Sequence, residues 1–135
     1  DPSAGIVRNI DLWIERMISF LNLKPGQKVL DVGSGRGKIA QKVHFATEAK
    51  VIQVNIDETQ IAFSKKLAKT AGVEDSMEWH NHDYNTLFPY IEDGSLDAQY
   101  CAQACAFMAN KTKFLKEVYR MLKPGGMVYN LEWLA

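Results

Sequence analysis

Cysteine is almost absent from the 135-residue chain: Cys101 and Cys105 are its only two. That is too few for a disulfide scaffold or a four-cysteine zinc site. It makes a reducing, cytosol-like compartment the expectation. No charge of one sign dominates, because sixteen Lys and Arg balance sixteen Asp and Glu. A dedicated nucleic-acid binder carries a basic excess, so nucleic acid is not an expected partner. No run reaches the ~18 apolar residues a membrane span needs. No basic stretch leads into an apolar block as in a signal peptide. Repeats, low-complexity tracts and Pro/Gly/Ser linkers are missing too. At 47% hydrophobic and 24% charged residues the composition is that of a globular domain, not a disordered chain. One domain over residues 1–135 is expected.

Within that frame, apolar periodicity alternates between two patterns. Ile6, Ile10, Trp13, Ile14, Met17, Ile18 and Leu21 recur at helical spacing and predict one core-packed amphipathic helix, ending near Leu23-Lys24-Pro25-Gly26. Lys28-Val-Leu-Asp-Val32 reads as a buried strand, and Gly33-Ser-Gly-Arg-Gly37 turns it into a helix. Val51–Ile56 reads as a second strand. A helix follows from Asp57 to about Ala71, with Gly72 as its stop. Short strands are predicted at Met77–His80 and Leu96–Ala102. Phe114, Leu115, Val118, Tyr119 and Leu122 mark a further helix, which Lys123-Pro-Gly-Gly126 ends before a fifth strand from Met127 to Trp133. Strands alternating with helices predict an α/β, doubly wound, mostly parallel sheet of Rossmann-like form.

In such sheets ligands bind beyond the carboxyl ends of the strands, so the glycine turn is the first candidate site. Glycine admits close backbone approach. The spacing here is Gly-x-Gly-x-Gly, and Lys38 stands where a dinucleotide fingerprint needs its last Gly or Ala. A nicotinamide cofactor is thereby disfavoured, and the Walker spacing fails as well. Asp31 lies two residues before Gly33, a position suited to a cationic ligand group and unsuited to a pyrophosphate. After the second strand stands Asn55, where nucleoside-binding folds commonly place an acid, followed by Ile56. Asp57 reads as a helix cap with Gln60 closing a capping box, or as a ligand contact. His80-Asn81-His82-Asp83 superficially suggests a metal, but the spacing lacks further ligands and no metal is expected. Asp83 and Tyr84 are placed to meet a purine, or Asp83 forms an Asx-turn. Cys101 and Cys105 read as small core hydrophobes.

Lys28–Gly37 resembles motif I of class I S-adenosyl-L-methionine-dependent methyltransferases, and Leu122–Gly126 resembles the turn before their fifth strand. Within that superfamily the chain looks closest to the sterol C-methyltransferases, through Asn55, Gln60 and Leu131-Glu132-Trp133. Cyclopropane synthases and phospho-base and quinone methyltransferases share parts of the pattern. The resemblance implies a cofactor site drawn from Asp31, Gly33, Ser34, Gly35, Gly37, Asn55, Ile56, Gln60, Asp83, Tyr84 and Gln103. It implies S-adenosyl-L-methionine as cofactor, S-adenosylhomocysteine as product, and a small lipophilic, sterol-like acceptor. Glu132 and Trp133 become the catalytic candidates, a base and an aromatic face for a developing cation. Sterol enzymes typically read Glu-Ala-Thr-Cys-His after the fourth strand, whereas this chain has Gln103-Ala-Cys-Ala-Phe107. That departure keeps a cofactor-binding pseudoenzyme and an amine or quinone acceptor as alternatives. The family's final two strands and helical cap have no counterpart, so the chain is expected to be a fragment. Its fifth strand would then need cover from a further segment or a partner. A cytoplasmic location is expected, with association to a membrane surface left open.

Overall fold

The computed structural model describes residues 5–131. Five strands form one parallel sheet: β1 (Lys28–Val32), β2 (Lys50–Asn55), β3 (Met77–Asn81), β4 (Leu96–Ala102) and β5 (Leu122–Leu131). Their spatial order is β3-β2-β1-β4-β5, so the sheet grows outward in both directions from β1. The helices are α1 (Ile6–Leu21), α2 (Lys38–Thr47), α3 (Glu58–Ala71) and α4 (Lys111–Met121). Covered on both faces, the inner strands are apolar almost throughout, as parallel strands must be. One face of the sheet carries Val29, Val51, Ala98 and Tyr100 against Met17 and Leu21 of α1, Ala40 and Val43 of α2, and Ala68 of α3. The other carries Leu30, Val32, Ile52, Val54 and Cys101 against Phe114, Val118 and Met121 of α4. Both cysteines are buried and neither is in a disulfide, in keeping with their core reading.

No helix links β3 to β4. Phe88 and Ile91, from the irregular chain between them, fill that part of the core instead. Arg120 of α4 holds this segment in place. Its guanidinium donates to the carbonyls of Phe88 (3.0 Å) and Ile91 (2.8 Å), to Asp93 (2.6 Å) and to both oxygens of Glu117 (3.0 Å each). Glu117 in turn accepts the Phe88 N–H at 3.0 Å. The Arg120 hydrogen bond holds the Glu117 carboxyl below its usual range. Arg120→Ala leaves two carbonyls and two carboxylates short of partners, so it is expected to cost ~2 kcal/mol in urea unfolding. Arg120→Lys is expected to recover only part, because an ammonium cannot reproduce the planar fork.

One boundary and one burial pattern differ from the sequence reading. The β5 ladder begins at Leu122 opposite Leu96 and resumes at Met127 opposite Ala98. Lys123-Pro-Gly-Gly126 therefore bulges out within the strand's span rather than preceding it, with Gly125 at φ 81°. In α1, Ile14, Met17 and Leu21 are buried as expected, but Ile6 is 81% and Ile10 49% exposed. These two residues line a cavity at the carboxyl ends of β4 and β5. The stripe thus serves the core in one half and a cavity in the other. Residues 126–131 of β5 are half-buried at the sheet edge. Glu132 and Trp133 lie outside the described residues.

Candidate cofactor site and adjoining cavity

The glycine turn leaves β1 with left-handed backbone at Gly33 (φ 75°), Gly35 (φ 55°) and Gly37 (φ 80°). The Gly33 and Ser34 N–H groups both donate to the Val54 carbonyl, at 2.8 and 3.1 Å, folding the turn back over β2. The three glycines have different duties. A Cβ on Gly33 would collide with the Ala104 methyl, and one on Gly37 with Ser64 and Gln53. A Cβ on Gly35 would meet nothing closer than the Gln60 Oε1 at 3.9 Å. Gly35 is therefore the open one of the three. Gly37 lets α3 approach the sheet, where the Ser64 hydroxyl donates to Gln53 (2.8 Å) and accepts from the Trp79 indole (3.0 Å).

Asp31 is only 2% exposed. Its register partner across β1 and β4 is Tyr100, whose phenol donates to Asp31 Oδ2 at 2.8 Å. Burial pushes the Asp31 carboxyl up to about 7, against the lowering effect of that hydrogen bond. Burial, and the neighbouring Asp31, push the Tyr100 phenol well above its usual value. The pair therefore holds its charge on Asp31 when ionised. A buried carboxylate with a single neutral donor is an energetic liability unless a cation joins it. In the glycine turn, the Ser34 hydroxyl is buried with no hydrogen-bond partner among the described residues.

Asn55 ties the turn to α3. Its Nδ2 donates to the Gly35 carbonyl (3.3 Å) and to Gln60 Oε1 (2.8 Å), and its Oδ1 accepts the Asp57 N–H (3.0 Å). Asp57 is the α3 cap, accepting from the Thr59 and Gln60 N–H groups. The capping box expected of Gln60 does not form. Asn55 takes the Asp57 N–H that Gln60 would have closed on, and holds Gln60 by its amide oxygen. Ile56 stands 62% exposed at the end of β2, an apolar side chain the core does not use.

Asp83 makes an Asx-turn, its Oδ1 accepting from the Asn85 N–H (2.9 Å) and side-chain amide (3.0 Å). Tyr84 packs on the cluster containing Cys101 and Cys105. Burial raises its phenol, with Cys101, Asp83 and Cys105 adding to the rise. His80 pairs with Glu78 at 2.5 Å and stacks on Tyr90, whereas His82 meets the Thr86 hydroxyl at 2.9 Å. Among the described residues no group of three or more His, Cys, Asp or Glu is placed to hold a metal.

Gln103 follows β4 in the left-handed region (φ 74°, ψ −20°), unusual for a residue other than glycine. Its side chain lines a cavity of about 580 Å³ with Ile6, Asn9, Ile10, Trp13, Ile39, Ala102 and Leu131. Sequence reasoning missed this cavity, because its walls come from α1, α2, β4 and β5. It missed Tyr100 as well, although a tyrosine inside an otherwise apolar strand is a signal that its hydroxyl has a buried partner.

A family model described as a methyltransferase domain matches residues 30–130. Over 115 residues the chain is 36% identical to a sterol 24-C-methyltransferase of Gibberella zeae, a match covering 84% of this chain and 30% of that protein. The chain spans about a third of the length of the curated relatives it matches. Among solved structures, the cyclase SpnF superimposes with a TM-score of 0.86 at 25% identity, covering 95% of this chain and 47% of SpnF. The geranyl diphosphate C-methyltransferase from Streptomyces coelicolor superimposes with a TM-score of 0.84 at 20% identity, covering 96% and 49%. That second likeness speaks to the fold alone.

Proposed function

The chain belongs to the methyltransferase domain family, and from that premise we propose that it transfers a methyl group from S-adenosyl-L-methionine to a small lipophilic acceptor. The observation that carries this reading is the buried Asp31 carboxyl beside the glycine turn. The residues present fit the cofactor. Asp31 offers a buried negative charge for its ammonium group, Ser34 offers an unpartnered hydroxyl, and Gly35 leaves room for close approach. When bound, the cofactor supplies an electrophilic methyl group on a sulfonium, which is the difficult part of the chemistry. The chain's own residues then have to orient and desolvate. Asn55 fixes the turn against α3, and Ile56 provides an apolar face at the end of β2 for a nucleoside base. Asp83 and Tyr84 complete the proposed nucleoside side of the site, with Gly33 and Gly37 shaping the turn.

The 580 Å³ cavity is the proposed acceptor site. Its size falls within the range of small-molecule pockets. Sterol-like C-methylation is the finer proposal, supported by the 36% identity to a sterol 24-C-methyltransferase. An alkene acceptor must lose a proton once its new bond to carbon has formed. Glu132, one residue beyond the cavity-lining Leu131, is the proposed base, and Trp133 the proposed aromatic face. Cofactor binding without methyl transfer is a second reading, favoured by the superposition on a protein named as a cyclase.

Calorimetric titration with S-adenosylhomocysteine tests the cofactor site. Micromolar affinity is expected at pH 8. The ligand's ammonium needs ionised Asp31, so affinity should fall about tenfold per pH unit below 7. Absence of binding at pH 8 overturns the reading, and a flat pH profile removes Asp31 from it. Labelled methyl transfer to an unsaturated sterol, with its saturated counterpart as control, then separates enzyme from binding module.

A further inference from the structure

We propose that Cys101 and Cys105 form a reversible redox site, at which a peroxide joins the two thiols in a disulfide and so unsettles the glycine turn. They are the chain's only cysteines, and the fold puts them in contact. The Cys105 N–H donates to the Cys101 sulfur at 3.0 Å, and the Cys101 thiol donates in turn to the Cys105 sulfur. A solitary buried thiol is inert. A buried pair in contact differs, because a sulfur oxidised once finds a resolving thiol beside it. Cys105 is 2% exposed, yet it sits in the surface turn Ala104–Phe107, directly before the exposed Ala106 and Phe107. A small peroxide reaches such a sulfur where a bulky disulfide does not.

The hydrogen bond to Cys105, together with burial, pushes the Cys101 thiol up. Cys101 therefore keeps its proton, and Cys105 meets the oxidant. The Cys105 sulfur, as thiolate, attacks one oxygen of hydrogen peroxide. The O–O bond breaks, the departing hydroxide recovers the proton Cys105 gave to solvent, and a sulfenic acid remains. The Cys101 sulfur then attacks the Cys105 sulfur. The S–O bond breaks, and the second hydroxide takes the Cys101 proton. Two thiols and one peroxide become one disulfide and two waters, the sulfurs oxidised and the peroxide reduced. Exchange with a small thiol reverses the change, as suits a transient disulfide in a reducing compartment.

A disulfide holds its sulfurs about 2 Å apart, closer than a hydrogen bond does. Cys105 has to make that approach, because Cys101 is fixed in the sheet between Val32 of β1 and Asn130 of β5. The turn carrying Cys105 is closed by two long hydrogen bonds, from Ala106 to the Gln103 carbonyl and from Met108 to the Cys105 carbonyl, at 3.3 Å each. Moving Cys105 moves Ala104, whose methyl lies 2.3 Å from where a Cβ on Gly33 would stand. The redox site stands without the methyl-transfer reading, whereas its effect on cofactor affinity rests on that reading.

The test treats the whole chain with hydrogen peroxide and counts thiols by alkylation after denaturation. Both thiols are expected to disappear together and to return with dithiothreitol, which does not restore oxidised methionine. Hydrogen exchange at the Gly33 and Ser34 amides should run about tenfold faster in the oxidised chain. Its affinity for S-adenosylhomocysteine should be about tenfold weaker. Both changes should reverse with dithiothreitol and be absent from peroxide-treated Cys105→Ala. Loss of one thiol alone, loss that dithiothreitol does not reverse, or no loss short of unfolding overturns the proposal. So does a disulfide that leaves exchange at Gly33 and Ser34 unchanged, or the same effects in Cys105→Ala. A reduced chain that does not bind S-adenosylhomocysteine overturns the methyl-transfer reading instead, and the thiol count and exchange still decide the redox site.

Discussion

Asp31→Asn is expected to melt about 5 °C higher than the parent chain at pH 8 while binding S-adenosylhomocysteine about 100-fold more weakly. The two effects have one cause. In the folded chain the carboxyl holds its proton more tightly than in the unfolded chain, since burial moves it from 3.8 to about 7. Its contribution to stability is therefore full below about pH 4 and is lost as the pH rises through 7. That rise corresponds to ~4 kcal/mol. Asparagine keeps an oxygen for the Tyr100 phenol and carries no charge at any pH. Its amide hydrogens still need a partner, at a cost of about 1–3 kcal/mol, so a net gain of ~1–2 kcal/mol is expected. For a domain of this size that is about 5 °C. The cofactor's ammonium, by contrast, loses its buried counter-charge. As the pH falls from 7 to 4 the parent chain regains most of that ~4 kcal/mol, so the variant's advantage should vanish and then reverse. Tyr100→Phe is the companion variant. It removes the carboxylate's hydrogen-bond donor, so it should cost ~2 kcal/mol at pH 8 and raise the pH at which S-adenosylhomocysteine affinity declines. If Asp31→Asn melts lower and binds normally, Asp31 is a structural residue and the cofactor reading loses its main support.

Alanine placed in turn at Gly33, Gly35 and Gly37 should separate packing from binding. At Gly37 the left-handed backbone costs about 1–2 kcal/mol. Displacing Ser64 and Gln53 adds a similar amount and disturbs the Trp79 hydrogen bond. A total of ~4 kcal/mol would leave a marginally stable domain largely unfolded near its working temperature. Gly33→Ala should lose ~3 kcal/mol, because its methyl meets that of Ala104. Gly35→Ala meets no wall and should lose only ~1 kcal/mol. Yet it puts a methyl group where the ligand approaches, and S-adenosylhomocysteine affinity should drop at least tenfold. Thermal melting and calorimetry on the same three proteins check both orders. A Gly35→Ala variant that binds normally would place the ligand away from this turn.

The amino-acid order determined most of what depends on near neighbours. The strands at residues 28–32 and 96–102 and the helix stopped by Gly72 follow from apolar periodicity and turn chemistry. So does the Asp57 cap, because its partners lie two and three residues ahead. The left-handed turn after β1 was legible for the same reason, since its glycines sit between a strand and a helix. Membership of the methyltransferase domain family was legible too, through the spacing of that turn and the later Lys-Pro-Gly-Gly. Tertiary structure decided which of those residues are spent on holding the fold. Three glycines that look alike in sequence become one open position and two packing contacts, because α3 and the segment after β4 close on two of them. Asn55 turns out to be committed to Gly35, Asp57 and Gln60. The Asp31 charge acquires its meaning only from Tyr100, 69 positions away and brought alongside by the pairing of β1 with β4. The cavity has no local signature at all, since four separate elements supply its walls. Hydrogen bonds and steric contacts across a sheet depend on strand order and register. Those are set by how whole faces bury against one another, not by the spacing of residues within any one segment.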